Sequence, residues 1–548
     1  MKQILTSLMS LYTPAYVASL IRSLEQRQYN TWQYIIWYIK TNDFSVPSAR
    51  KIPIQTRGKY LYIFTVLTAI LGITTGVTLI AGAIEHMYPE GFIFGIATFV
   101  ALPVICSIAL VIYNSLISLL VALNLKNIGK RAICVLLEAQ VVRLRKKYPF
   151  TVVAVVGSVG KTSTKLAVAQ TLELTGKRVR YQQGNYNDRL TVPLVVFDQP
   201  LPHLFNVLAW FRVLRRNRKI IRTGYDYDVV VLELGTDGPR QIKKFAYLMP
   251  DITVVTAIAQ EHMEFFGTID AVAKEELSLA PYSKQMLINT DDSAEKYRKG
   301  ITYKGYGLLE KHNDYYIEAK SETIHGQQVR GLFQGKEFAQ GTIAFLGPQG
   351  RKIILAAAAV ADMLDVSTGD ISTAIVQLKP FAGRMQIVPG IKNSTLIDDT
   401  YNATPAAVEA ALHVLTNTKA PQRVAVLGSM NELGDYTVEA HKTIGTSIDP
   451  QKISLVVTIG AVARDYLAPA AQEQGCEVQS FLNPHEAGLY VKKHIAEKAL
   501  ILFKGSQNGV FSEEALKPLL AEKSDETKLV RQSSYWMKQK CKQFTLPR

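Results

Sequence analysis

The stretch 151–164 reads TVVAVVGSVGKTST and combines glycines, a lysine and hydroxyl residues that could bind phosphate. N–H groups at a helix start are unpaired and lie at the positive end of the helix dipole, so they attract anions. Lys161 would add positive charge at the β- and γ-phosphates, and Thr162 would offer a hydroxyl to Mg²⁺. The pattern predicts a nucleoside-triphosphate site that comprises Gly157, Ser158, Val159, Gly160, Lys161, Thr162 and Ser163.

The spacing of this turn departs from the usual phosphate loop. The pattern G-x-x-x-x-G-K-T would place its first glycine at position 155, which is Val155. An ordinary strand–turn–helix with a surface lysine is the alternative interpretation. We favour the nucleotide site because the glycines, Lys161 and Thr162 lie together where a strand passes into a helix.

Two further polar residues follow predicted strands. Glu233 ends the apolar run 229–232, and His262 follows the run 252–258. Parallel strands carry their carboxyl ends at one edge of a sheet, so both side chains are expected beside the phosphate turn. We predict that Thr162, Glu233 and His262 form a magnesium site. A helix-capping role for Glu233 is the alternative.

The elements that must position these residues alternate between strands and helices. Residues 149–365 are predicted to form an ATP-binding domain with a parallel sheet, and 366–520 a Rossmann-like domain. The fold class is therefore α/β. A basic tail, 521–548, looks like a terminal helix, and we assign it no chemistry.

Long uncharged runs precede these domains, at 60–84 and 91–125. Each is long enough to span a bilayer, and basic residues lie only outside the pair. We predict membrane-proximal helices over 1–58, a two-helix transmembrane hairpin over 59–126 and an amphipathic linker helix over 127–148. The protein would then be a multi-pass cell-membrane protein with cytoplasmic termini and catalytic domains. Two buried helices of a soluble domain are the alternative to the hairpin.

Composition limits the partners. The 548 residues carry 62 basic and 46 acidic side chains, a net charge of +16. We attribute part of this charge to contact with a lipid bilayer, because no RNA-binding motif accompanies the basic run 204–222, and we predict no nucleic-acid partner. Four scattered cysteines indicate neither a zinc site nor a disulfide framework.

Taken together, the motifs resemble the Mur ligase family of ATP-dependent amide ligases, and most closely its MurF type. The resemblance covers roughly residues 150–510 and is carried by GSVGKTST, GNYND, ELGTDGPRQI and PDITVVTAIAQEHMEFFG. Further on, GRMQ, DDTYNATP and LGSMNELG resemble the family's GRME, DDSYNANP and LGDMLELG in order and spacing.

The resemblance implies ATP and Mg²⁺ as cofactors and assigns further residues. Arg384 would neutralise the transferred phosphate, and Asp399 would bind a ribose hydroxyl. Asn185, Asn187, Tyr401, Asn402 and Lys504 would contact substrates. The family's carbamylated lysine, which helps to hold Mg²⁺, falls at Glu276. We favour Glu276 as a built-in carboxylate over the alternative, a carbamylated Lys274.

A second departure lies at 346–353, where the family reads G-x-H-N-x-x-N. Gln349, Gly350 and Ile353 replace the histidine and both asparagines.

The resemblance implies an enzyme that adds D-Ala-D-Ala to a muramoyl-peptide precursor of peptidoglycan. The muramoyl peptide and a dipeptide or amino acid would be its substrates. One alternative is a related amino-acid or glutamate ligase with a different acceptor, for example a lipid-linked one, since 1–146 show nothing like the family's UDP-binding domain. The other is a nucleotide-binding membrane scaffold without catalysis.

Overall fold

The structure, a computed structural model, describes residues 125–544 except 185, 237, 311, 312 and 508, and side chains from residue 129 onward except that of residue 264. The chain divides into two compact units, 1–136 with 201–216, and 137–200 with 217–548. In the described part of the first unit, Trp210 and Val213 are buried, whereas Val207 and Leu208 are exposed. Both sheets and all the site residues described below belong to the second unit.

The helices are distributed along the whole described chain. They are α1 (Leu125–Lys147), α2 (Lys161–Leu174), α3 (Thr191–Val196), α4 (Val207–Thr223), α5 (Met263–Phe266), α6 (Ile269–Glu276), α7 (Glu295–Arg298), α8 (Gly347–Asp362), α9 (Thr368–Gln377), α10 (Pro405–Asn417), α11 (Thr437–Thr446), α12 (Ala468–Glu473), α13 (Pro484–His494), α14 (Glu513–Leu516) and α15 (Ser534–Gln543). Short 3₁₀ helices lie at Ile242–Leu248, Leu277–Tyr282, Gly434–Tyr436, Lys517–Leu519 and Lys523–Lys528, and a π-helical turn at Ala463–Leu467.

The first sheet has nine strands in the order β2-β3-β1-β4-β5-β6-β7-β8-β9. These are β1 (Thr151–Val156), β2 (Val179–Tyr181), β3 (Val229–Glu233), β4 (Ile252–Val255), β5 (Gln285–Asn289), β6 (Lys304–Gly307), β7 (Tyr315–Thr323), β8 (Gly326–Phe333) and β9 (Lys336–Ile343). Neighbouring strands from β2 to β7 pair in parallel, and β8 and β9 add antiparallel. The sheet is therefore the parallel P-loop sheet that the sequence predicts, extended by antiparallel strands.

Alternation along β1 builds two cores. Val153 and Val155 pack with α2 and α8, whereas Val152 and Val156 pack on the opposite face with Leu144 of α1. A strand that is covered on both faces is apolar throughout, which is the pattern that 151–156 shows.

The second sheet has six strands in the order β10-β11-β15-β12-β13-β14. These are β10 (Gln386–Pro389), β11 (Thr395–Asp399), β12 (Arg423–Gly428), β13 (Leu455–Ile459), β14 (Val478–Phe481) and β15 (Leu500–Lys504). β10 is antiparallel to its neighbour, and the other pairs are parallel. Helices cover both faces, as the Rossmann-like prediction requires.

The predicted membrane location is contradicted. Within the described residues, none of the helices combines the length and the apolar character that crossing a bilayer requires. The predicted segments 1–58 and 59–126 lie outside the described residues, apart from Leu125 and Lys126. These two residues begin α1, the helix predicted over 127–148, so the boundary drawn at 126 falls inside a helix.

Candidate active site

The phosphate-binding turn connects β1 to α2. Gly157 and Gly160 have φ angles of 125° and 84°, values that favour glycine. A Cβ at Gly157 would collide with the side chain of Thr256 and the backbone of Ala257. Gly157 is therefore required both by its φ angle and by its neighbours. The turn leaves the start of α2, at Lys161, facing an open cavity.

Lys161 is held by an acid that the sequence analysis did not single out. Its Nζ donates to Glu261 Oε2 at 2.9 Å, and the two side chains are only 12% and 15% exposed. Burial alone would lower the pKa of Lys161, but the carboxylates of Glu261 and Glu276 outweigh it and raise that pKa. The position of Glu261, directly before His262 and after a parallel strand, is the signal that could have identified it.

Glu233 ends β3 beside a second buried lysine. Lys165 Nζ lies 3.5 Å from Glu233 Oε2, and Asn187 donates to Oε1 at 3.3 Å. Burial lowers the pKa of Lys165, against the attraction of Glu233. Sequence reasoning missed Lys165, although it lies four residues after Lys161 on the same face of α2. Glu233 thus has one carboxylate oxygen beside Lys165 and the other beside Asn187.

Glu276 and Lys274 lie in different environments. Lys274 is exposed, whereas Glu276, the last residue of α6, is buried and accepts a hydrogen bond from the Gly157 N–H at 2.7 Å. Burial raises the pKa of Glu276 to about 7. Neither residue lines the cavity, because Glu276 lies beneath the phosphate-binding turn. Its side chain is shorter than a carbamylated lysine, and its carboxylate accepts from the backbone of the turn.

His262 connects the two sheets. Its Nδ1 lies 3.0 Å from Oε2 of Glu432, in the loop after β12. Burial opposes the charged form, but Glu432 and Glu261 raise the pKa of His262. Both His262 and Glu432 have positive φ angles, 49° and 66°, which are uncommon for such residues. The pair holds the edge of the first domain against the second.

The second sheet contributes a buried ion pair. Lys504 Nζ lies 2.5 Å from Asp399 Oδ2 and donates to the Asn402 carbonyl at 3.1 Å. The other oxygen of Asp399 accepts a hydrogen bond from the Met385 N–H at 3.2 Å. Both oxygens of Asp399 are therefore engaged by the protein.

Arg384 faces the same cavity from the second sheet. Its guanidinium carbon lies 3.9 Å from the centre of the Tyr401 ring, a cation–π contact. Its Nε is buried and has no hydrogen-bond partner among the described residues. A buried N–H donor without an acceptor fits a site that receives an anionic group.

One cavity of about 810 Å³ joins these groups. Fourteen predicted residues line it, namely Ser158, Val159, Gly160, Lys161, Thr162, Ser163, Asn187, Glu233, His262, Arg384, Asp399, Tyr401, Asn402 and Lys504. Gly157 belongs to the turn but does not line the cavity, and Asn185 is outside the described residues. The cavity also receives Glu261 and Glu432, which the sequence analysis did not predict.

The chemistry of the donor groups suits magnesium with phosphate. In the described part of the chain, no three His, Cys, Asp or Glu side chains converge to form a metal site. Mg²⁺ commonly takes only one or two carboxylates and completes its shell with phosphate oxygens and water. Thr162 and Glu233, both facing the cavity, fit that mode of binding.

The altered segment at 346–353 also lines the cavity. A Cβ at Gly350 would lie 2.9 Å from the Cβ of Phe345, so an asparagine would not fit there. Lys352 donates to both oxygens of Asp292 at 2.8 and 2.9 Å, and Gln349 lies beside the same acid. The packing and charge of this wall therefore differ from the asparagine pattern.

Comparison with known families and proteins agrees with this architecture. The model of the Mur ligase middle domain matches residues 155–361, and that of the Mur ligase glutamate ligase domain matches 383–507. UDP-N-acetylmuramoyl-tripeptide–D-alanyl-D-alanine ligases are 27% identical, that of Bacillus subtilis over 67% of this chain and 76% of its own length. The Escherichia coli relative matches 68% of this chain and 77% of its own length.

Solved structures show the same fold. A crystal structure of MurF from Acinetobacter baumannii superposes with a TM-score of 0.58 at 21% identity, covering 71% of this chain and 79% of that one. MurF from Thermotoga maritima, solved in complex with ADP, superposes with a TM-score of 0.54 at 20% identity. The match covers 70% of this chain and 84% of that one.

Proposed function

Because the chain belongs to the Mur ligase family, we propose that it is a MurF-type, ATP-dependent ligase that adds D-Ala-D-Ala to a muramoyl tripeptide. The carrying observation is the cavity in which the Lys161 turn of one domain faces Arg384 of the other. Cations from both sides suit a triphosphate whose terminal group is transferred between the domains.

The reaction uses two displacements. A carboxylate oxygen of the tripeptide attacks the γ-phosphorus of ATP, and the bond to ADP breaks, which gives an acyl phosphate. The amine of D-Ala-D-Ala then attacks the carbonyl carbon; phosphate leaves, and the amine loses a proton to form the amide. In this scheme Lys161 neutralises the β- and γ-phosphates. Arg384 stabilises the charge that develops on the transferred group.

Magnesium would offset the remaining phosphate charge when bound, held by Thr162 and Glu233. Lys165 and Asn187 orient the Glu233 carboxylate. Glu276 supports the turn from behind, through the Gly157 N–H, instead of reaching the cation. His262, paired with Glu432, keeps the two domains together around the acyl phosphate, which water would otherwise hydrolyse.

Phosphate release by the purified full chain tests this function. Incubations contain ATP, Mg²⁺ and D-Ala-D-Ala, with or without UDP-N-acetylmuramoyl tripeptide, beside a Lys161→Ala variant. We expect release that needs both substrates and Lys161. Release with ATP alone would indicate an ATPase. Tight ATP binding without release would contradict this acceptor and favour a ligase with a different acceptor or a non-catalytic protein.

A further inference from the structure

The C-terminal segment, residues 521–544, lies beyond the end of the family match at residue 507. It packs against the second sheet through charge as well as apolar contact. Lys540, which is fully buried, contacts Glu513 at 2.9 Å and Glu514 at 2.6 Å, and donates to the carbonyl of Arg531 at 3.0 Å. Buried charges are expensive unless each is paired, so this network fixes the segment in one position.

Arg531 extends the network to the active-site loop. Its Nε and Nη2 donate to the two oxygens of Glu513 at 2.8 and 2.7 Å. Its Nη1 donates to the carbonyl of Tyr401 at 2.9 Å and its Nη2 to that of Thr400 at 2.5 Å. The planar fork of an arginine can make all four contacts at once, which a lysine cannot. Although burial opposes ionisation, Arg531 and Lys540 lower the pKa of Glu513.

The preceding residue, Val530, packs against the backbone of Gly383, which is hydrogen-bonded to Tyr401. Val530 would touch a Cβ placed on Gly383, and the Gly383 carbonyl accepts the Tyr401 N–H at 3.1 Å. The Tyr401 ring in turn lies under the guanidinium of Arg384. The C-terminal segment thus contacts both backbones that carry the Arg384–Tyr401 pair.

We propose that Arg531 is a positioning residue of the ligase, which holds Thr400 and Tyr401 so that Arg384 is aimed at the transferred phosphate. The expected effect of Arg531 on kcat rests on the proposed function, whereas its effect on the backbone at 400 and 401 does not. Arg531 touches no substrate; it acts through two backbone carbonyls. Its loss therefore affects the turnover step, where Arg384 is needed, more than the binding of ATP.

The test compares Arg531→Lys and Arg531→Met with Arg330→Met, a matched change at the exposed Arg330–Glu318 pair. We expect kcat to fall about 10- to 100-fold in both Arg531 variants, with the KM for ATP changing less than about threefold. The Arg330 variant should match the wild type. A kcat within twofold of the wild type in a folded Arg531→Lys protein would overturn the proposal.

Two measurements separate positioning from simple loss of stability. Lys540→Met removes a charge of the same network without touching the loop, so it should lower the melting temperature while retaining more kcat than Arg531→Lys. Hydrogen exchange at the amides of 400 and 401 should become about tenfold faster in Arg531→Lys, with or without ligase activity. Unchanged exchange, or a kcat that follows melting temperature across all variants, would refute positioning. A wild type without ligase activity but with the exchange effect would refute only the proposed function.

Discussion

We predict that Glu261 competes with phosphate for Lys161, so that neutralising Glu261 tightens ATP binding. The Nζ of Lys161 lies 2.9 Å and 3.2 Å from the two oxygens of Glu261, in a pair that is largely shielded from water. A bound triphosphate must replace Glu261 as the partner of Lys161, and it then lies close to the negative charge of the displaced Glu261 carboxylate. Glu261→Gln keeps the size of the side chain and removes its charge.

The magnitude follows from the geometry. At 2.9 Å the gross attraction is about 6 kcal/mol for an effective dielectric constant near 20. Desolvation cancels most of it, and the glutamine still accepts a hydrogen bond, so the net change is about 1–2 kcal/mol. That corresponds to an ATP Kd about 5- to 30-fold lower in the variant.

Calorimetric titration with ATP in the presence of EDTA measures this effect, because Mg²⁺ would itself offset the Glu261 charge. Glu318→Gln, which neutralises an exposed partner of Arg330, is the control and should leave the Kd unchanged. An unchanged or weaker affinity in Glu261→Gln would refute the competition, since Lys161 would then gain nothing from losing its partner.

Three further predictions concern buried acids and their partners. Activity should not respond to added bicarbonate. Glu276→Gln should lower kcat less than about tenfold, because its amide oxygen still accepts from the Gly157 N–H. Glu276→Ala, which removes this acceptor, should lower kcat about 10- to 100-fold. Lys504→Met leaves the buried Asp399 carboxylate without its cation, which should cost about 3–5 kcal/mol and lower the melting temperature by about 6–20 °C. Burial raises the pKa of Asp398 to about 6 from 3.8, so the folded protein binds the extra proton between these values, and stability falls as pH rises through this window. Asp398→Asn removes up to about 3 kcal/mol of this loss, of which about 2 kcal/mol falls between pH 4.5 and 7.5, where it is measured as the change in the melting-temperature difference from the wild type.

Specific outcomes would contradict these three. Bicarbonate stimulation of the wild type would indicate a carbamylated lysine after all. A double variant, Lys504→Met with Asp399→Leu, should recover at least half of the lost stability, and equal loss in the single and double variants would show that the pair is unimportant. A melting-temperature difference for Asp398→Asn that is the same at both pH values would mean that Asp398 titrates normally in the folded protein.

The parts of the site that the sequence predicts are those fixed by local pattern and sheet topology. An apolar strand that is followed by glycines and a lysine strongly favours a phosphate-binding turn before a helix. Parallel pairing of β1 with β3 and β4 then brings Glu233 and His262 to the same edge of the first sheet. The parallel sheet of the first domain and the Rossmann-like second domain follow from the same alternation. The α/β fold class with two sheet domains therefore follows from the sequence pattern.

What the sequence leaves open depends on side-chain reach and on contacts between distant segments. Counting assigns the family's lysine position to Glu276, but only the structure shows that this carboxylate accepts a hydrogen bond from the Gly157 N–H. Glu432 contacts His262, which precedes it by 170 residues, and both residues have positive φ angles. No periodicity in the sequence indicates such a contact. The basic tail gave no chemical signal, because Arg531 acts on carbonyl groups that any sequence would offer.

The position of β15 in the second sheet has a consequence for folding kinetics. This strand, near the end of the matched region, inserts between β11 and β12. It follows β11 by about a hundred residues and β12 by about seventy-five. Long-range pairing of this kind is slow, since a large loop must close before any contact rewards it. Lys504 reaches Asp399 only when this insertion is complete. Nucleotide binding should therefore return later than helical circular dichroism when the unfolded chain is diluted from denaturant.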